Sequence, residues 1–212
     1  MPALRSVAGA LDWAERLAVA GLFAGLVAAK AGAGEIDAFF WLYLLSEGLV
    51  VVFMMTRRPA DRLSPAPRDW LLAAAATVLP LFASSAPPAL ATPLPLPAAP
   101  FEAGLALYLF GAVWQIWAKL TLRRSFGVIA ANRGVKSAGP YRFMRHPMYC
   151  GYFATQLAIL LVAPLAWNGV LYGATWLVQG LRLMGEERLL KEDPSYRAYA
   201  ARTRFRLIPG LC

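Results

Sequence analysis

Apolar residues occupy this chain in blocks of about twenty, separated by short polar or proline-rich connections. The blocks lie near residues 11–31, 37–56, 69–89 and 101–121, and a longer one covers 147–184. About twenty apolar residues cross a bilayer's hydrocarbon as a helix, so the first four blocks predict four membrane spans. The fifth is too long for one crossing. Ala163-Pro164-Leu165-Ala166-Trp167-Asn168-Gly169 breaks it with turn-forming residues, which predicts a helical hairpin with two short arms. No closed-barrel alternation accompanies these blocks, and backbone groups in lipid must be satisfied within the segment. The expected fold is therefore all-α: a polytopic integral membrane protein with about four transmembrane helices, a C-terminal helical hairpin span and a cytoplasmic amphipathic tail.

Composition supports this reading. The 212 residues are 59% hydrophobic and 16% charged, with a mean hydropathy of +0.51, outside the balance of a soluble domain. Arg57, Arg58, Arg62 and Arg68 crowd the second connection, and Lys119, Arg123, Arg124, Arg133, Lys136, Arg142 and Arg145 crowd the one after the fourth span. The connections between carry Glu35 and Asp37, or the nearly uncharged run from Pro87 to Pro100. The positive-inside rule places the N-terminus, the 119–146 connection and the C-terminal tail in the cytoplasm, and the chain's compactness makes a bacterial inner membrane the expected location. The net charge of +9 is accounted for by topology and anionic lipid headgroups, without nucleic acid. Cys150 and Cys212 both fall on the reducing side, so no disulfide is expected. Asp12, Glu15 and Arg16 interrupt the first apolar block, which argues for a retained span over a cleaved signal peptide.

The polar chemistry is unevenly spread, which divides the chain into a scaffold, residues 1–118, and a candidate functional region, residues 119–212. Within the scaffold the polar intrusion is Ser46-Glu47, where the carboxylate faces a pocket or pairs with a neighbouring helix. Ala31-Gly32-Ala33-Gly34-Glu35 lacks the strand before it and the helix after it that a nucleotide loop requires. No phosphate loop, zinc spacing or serine elbow occurs, so no metal is expected.

The chain's one histidine, His146, lies in Gly139-Pro140-Tyr141-Arg142-Phe143-Met144-Arg145-His146-Pro147-Met148-Tyr149-Cys150-Gly151, which opens onto the hairpin. Polar clusters at a membrane boundary are functional hypotheses by default. The hairpin brings this stretch to Arg182-Leu183-Met184-Gly185-Glu186-Glu187-Arg188-Leu189-Leu190, where Arg182 and Glu186, four apart, share one helix face. A plain ion pair in that orientation is worth little. With His146, Tyr141 and Tyr149 the two residues surround a space suited to a small zwitterionic, cationic ligand. The carboxylate accepts from ammonium or hydroxyl groups, and the aromatic faces hold a positive centre. S-adenosylmethionine is one fit among others. Tyr141 and Tyr149 also read as interfacial anchors, and Arg142 and Arg145 as topology charges. Glu187 reads as the partner of a nearby arginine.

Three motifs in order, the Gly139–Gly151 stretch, Glu186-Glu187-Arg188-Leu189-Leu190, and Tyr196, Tyr199 with Arg206-Leu207-Ile208-Pro209, resemble the isoprenylcysteine carboxyl methyltransferase and phospholipid methyltransferase superfamily over roughly residues 120–211. The resemblance implies S-adenosylmethionine as cofactor and a lipophilic acceptor entering from the bilayer, with membrane lipids as partners. It implies cofactor contacts from Val135, Lys136, Tyr141, His146, Pro147, Met148, Tyr149 and Glu186. Arg182 falls where carboxyl methyltransferases place an arginine for the substrate carboxylate, so the implied reaction is methylation of an isoprenylcysteine-like or other hydrophobic acid, with Arg182, Glu186 and His146 as catalytic residues. Phospholipid and small-thiol acceptors are alternatives; with an amine or thiol, His146 or Glu186 has to serve as base. The chain departs from the family at Ser125–Asn132, where a polar cofactor contact falls near Ala130 or Ala131 and Asn132 is the candidate replacement. The tail from Glu192 to Arg204 is expected to lie on the membrane surface and cover the cofactor. A membrane reductase using NADPH, with a similar C-terminal half, and a non-enzymatic scaffold are the competing readings.

Overall fold

The computed structural model describes residues 2–32, 34, 38–57, 62–64, 66–83, 87–127, 131–208 and 210. Glu35, Asp37, Arg58, Ala130, Pro209 and Cys212 lie outside the described residues, and of Arg62, Ala131 and Asn132 only the backbone is described. Seven α-helices occur among the described residues: α1 (Pro2–Gly32), α2 (Ala38–Thr56), α3 (Pro67–Val78), α4 (Phe101–Leu122), α5 (Pro147–Val162), α6 (Ala166–Leu190) and α7 (Pro194–Arg202). A 3-10 stretch, Leu79–Phe82, continues α3. Extended pairing among the described residues amounts to a two-residue ladder, Arg62–Leu63 antiparallel to Ala131–Asn132, and one bridge between Pro93 and Leu165.

Proline marks where helices begin, because its fixed φ suits a first turn that has no amide partner to lose. Pro67, Pro147 and Pro194 each open a helix, and Asp193 caps α7 by accepting from the Ser195 amide at 2.8 Å. The break separates α5 from α6 but is confined to 163–165, because Trp167, Asn168 and Gly169, expected in the turn, form the first turn of α6. The arms are unequal, however: 16 residues against 25. Pro87–Pro100 packs on the hairpin tip, with Leu94 and Ala99 amides donating to the Pro164 and Leu161 carbonyls and the Ala166 amide donating to the Thr92 carbonyl.

The α4–α5 contact is made by small residues. A Cβ at Gly111 stands 2.9 Å from the Gly151 carbonyl, and one at Gly151 stands 2.9 Å from the Gly111 carbonyl, so the two backbones meet where neither residue has a side chain. Close backbone approach of this kind is how helices associate in lipid, where apolar burial between them gains little.

Phe101–Ser125 is, among the described residues, the one helical stretch both long and apolar enough to cross a membrane; Leu44–Thr56 and Pro147–Val162 are apolar but shorter. Helix α6 is long but carries Gln179, Arg182, Glu186, Glu187 and Arg188, and α3 has 12 residues. Large apolar side chains nevertheless cover the outside: Leu71, Val113, Leu177 and Trp41 are each 60% exposed or more. A surface of that kind is suited to lipid rather than water.

Three of the cations assigned to topology are interior. Lys119 is fully buried, its ammonium donating to the Ser46 carbonyl, Ser46 Oγ and Glu47 Oε1 at 3.1, 2.8 and 2.9 Å. Arg57 and Arg133 are buried against Asp12, with Arg57 also on Glu15 at 2.7 Å. Charge counting alone cannot separate such groups from surface cations, because Glu47 lies 72 residues from Lys119 and Glu15 lies 42 from Arg57.

Candidate active site

The hairpin returns α6 to the start of α5, and the motif residues meet there. Tyr149, in the first turn of α5, donates its hydroxyl to Glu186 Oε2 at 2.9 Å. The Arg182 guanidinium stands 5.5 Å from the centre of the Tyr149 ring, one helical turn deeper than Glu186. His146 packs edge-on to Tyr149, with ring centres 5.7 Å apart.

His146 is buried, and its Nε2 lies in hydrogen-bonding contact with Glu187 Oε1 at 3.3 Å. Glu187 is also buried and collects further cations: Arg145 at 2.6 Å, Arg206 at 3.2 Å and Lys191 at 3.5 Å. Burial alone would raise its pKa; the His146 contact and the Arg145 and Arg206 charges outweigh that and hold it at about 2. Glu187 is thus a hub that ties α6 to the motif and to the tail. Backbone rungs complete the tie, the Arg145 and His146 amides donating to the Phe205 and Arg206 carbonyls at 2.9 Å each.

Helix α7 closes the site. Tyr199 donates its hydroxyl to the Tyr141 carbonyl at 2.6 Å and packs with Tyr141, Tyr196 and Ala118 in one buried cluster. Burial, then the Glu186 charge, pushes the Tyr141 hydroxyl well above its ordinary pKa, and burial pushes Tyr199 up to about 12, so both remain neutral phenols. The Tyr196 hydroxyl is buried and has no hydrogen-bond partner among the described residues.

These groups line one end of a cavity of about 530 Å³. Of the residues singled out in the sequence, Val135, Lys136, Tyr141, His146, Met148, Tyr149, Arg182 and Glu186 all line it. Pro147 does not: it is fully buried and starts α5. The tail contributes Tyr196 and Tyr199 to the wall, in keeping with its expected covering role. Glu47 lines the cavity and also pairs with Lys119, so both alternatives for it hold at once. Sequence reading missed Gln115, Tyr152, Gln156 and Gln179, which line the cavity deeper in. Their signal was present as polar side chains inside apolar blocks, diluted by the surrounding leucine and alanine.

The arrangement offers a cation, a carboxylate, neutral phenols and apolar side chains within one space. No curated protein matches the chain. Residues 104–192, from early in α4 to just past α6, match the model of the Isoprenylcysteine carboxyl methyltransferase (ICMT) family. That segment, which holds the Tyr149–Glu186 bond and Arg182, is where the chain is similar to this methyltransferase family.

Proposed function

We propose that the protein transfers a methyl group from S-adenosylmethionine to the carboxylate of a lipophilic acid, isoprenylcysteine-like or of similar shape, drawn from the bilayer. The observation that carries this reading is the adjacency of Arg182 and the Tyr149–Glu186 hydrogen bond in a cavity that also has many apolar side chains in its wall. Its size falls in the range of small-molecule sites, roughly 300–1,000 Å³.

The residues present fit the cofactor. Glu186 keeps a carboxylate toward the cavity, and the buried Tyr196 hydroxyl needs a partner that the described residues do not supply. Val135, Lys136, Tyr141, Met148, Tyr149, Tyr196 and Glu186 would hold it. When bound, S-adenosylmethionine supplies an electrophilic sulfonium methyl. The protein's part is positioning. Arg182 pairs with the acceptor carboxylate and aims one oxygen, an effect carried by charge-assisted hydrogen bonds. Tyr149 orients Glu186. The tail, held through Glu187, excludes water. A carboxylate acceptor needs no base, which agrees with His146 being engaged by Glu187.

We place the N-terminus and the site on the cytoplasmic side of a bacterial inner membrane, with residues 1–118 as the scaffold that closes the acceptor end. The spans follow the apolar blocks, α5 and α6 forming the re-entering hairpin. The test is methyl transfer from labelled S-adenosylmethionine to farnesylcysteine in detergent micelles. Arg182→Met is expected to lower kcat/KM by about 100-fold, the loss of a buried charge-assisted pair. Transfer that is indifferent to Arg182, or that goes to amines instead, contradicts the reading.

A further inference from the structure

Three glutamines enter the cavity from three helices: Gln115 of α4, Gln156 of α5 and Gln179 of α6. Gln156 comes seven residues after Tyr149 and Gln179 seven before Glu186, so at 1.5 Å per residue both lie about 10 Å below the Tyr149–Glu186 hydrogen bond. The Gln115 amide reaches nearly the same depth, because it contacts Thr155, the neighbour of Gln156 in α5. The three are 4%, 6% and 7% exposed, among the most enclosed polar groups in the protein.

Their hydrogen bonding is incomplete. Gln115 Nε2 donates to Thr155 Oγ1 at 3.4 Å, and Gln156 Oε1 accepts from Trp176 Nε1 at 2.8 Å. Gln115 Oε1 and Gln156 Nε2 have no partner among the described residues, and neither end of the Gln179 amide has one. A buried amide among apolar helices is unfavourable unless it is paired, and leucine would fill the same volume without that cost. Beyond this level the wall is mixed, Ile159, Leu26 and Pro80 standing beside Thr77, Tyr108, Tyr172 and Lys30.

We propose that this glutamine ring is a specificity-determining site for the acceptor. It recognises a neutral group that both donates and accepts, an amide or a hydroxyl, placed within the apolar chain about 4.5 Å beyond the Arg182 level that holds the carboxylate, since Gln179 precedes Arg182 by three residues. An unbroken hydrocarbon chain leaves the ring unsatisfied. The inference rests on the acceptor lying in this cavity as proposed above, and it refines the acceptor's class from a hydrophobic acid to one interrupted by a polar group.

Two probes of equal chain length separate the cases: 4-aminobutanoic acid acylated with tetradecanoic acid, whose amide falls about 5 Å from its carboxylate, and nonadecanoic acid. Each displaces cis-parinaric acid from the detergent-purified protein, and each is assayed separately for methylation. The amide probe is expected to bind about tenfold more tightly than the plain acid. That preference should vanish in Gln179→Met, which breaks no hydrogen bond within the described residues, and shrink in Gln156→Met. Thermal unfolding checks that both variants fold. Equal binding of the two probes by the wild type, no binding of either, or a preference unchanged in Gln179→Met overturns the inference. If the preference holds but neither probe is methylated, the ring stands and the methyl-transfer reading fails.

Discussion

Glu186 and Glu187 are neighbours in sequence but point about 100° apart around α6, and that angle separates their roles. Glu186 faces the cavity and takes one hydroxyl, so it remains available to a ligand; Glu187 faces the motif and is enclosed by Arg145, His146, Arg206 and Lys191. The second carboxylate, held at about 2 against an ordinary 4.5, stabilises the fold fully above pH 4.5, and that contribution is lost as pH falls toward 2. It amounts to about 2 kcal/mol once the half-exposed Arg206 and Lys191 are discounted for screening. Thermal unfolding in detergent should therefore lose stability between these pH values, and Glu187→Gln should flatten the slope while lowering stability near neutral pH. A wild-type profile flat to pH 3 would contradict the hub. Lys119→Met strands Glu47 inside the helices and should cost about 3 kcal/mol, whereas the double change with Glu47→Leu should recover most of it; denaturant titration of the single and double variants makes the comparison.

At the scale of elements, α4 and α5 meet through glycines, so volume there is tightly limited. Gly111→Leu forces a side chain against the Gly151 carbonyl and the Thr155 backbone, and it should prevent folding or lower Tm by well over about 5 °C. Gly173→Ala is the matching control on α6, since nothing lies within 4 Å of its added Cβ. Comparable Tm values for the two variants would refute the packing account. The hairpin and its break were legible in the sequence because Pro164, Asn168 and Gly169 cluster where an apolar block exceeds one crossing. The unequal arms were not, since α6 continues past the membrane boundary as an ordinary helix with charged residues. Nor was the shortness of α3, where the apolar run outlasts the helix and passes into a 3-10 turn at Leu79.

For the molecule as a whole, the candidate site was legible because its residues sit in contiguous motifs, Tyr141 to Tyr149 and Arg182 to Glu186, joined by a hairpin that the apolar pattern reveals. What escaped was everything contributed by single residues from distant helices: the glutamine ring, and the burial of Lys119, Arg57 and Arg133 on partners far along the chain. Such pairings depend on how helices pack, and one chain's pattern does not encode that directly. The cavity therefore has a wall built partly from motifs and partly from packing, and the motif residues carry the proposed chemistry. The most direct measurement is calorimetric titration of the detergent-purified protein with S-adenosylmethionine, beside Glu186→Ala and Tyr149→Phe. The account predicts micromolar binding by the wild type, weakened about tenfold or more when either side of the Tyr149–Glu186 bond is removed. Folded wild-type protein that ignores S-adenosylmethionine but binds NADPH would contradict it.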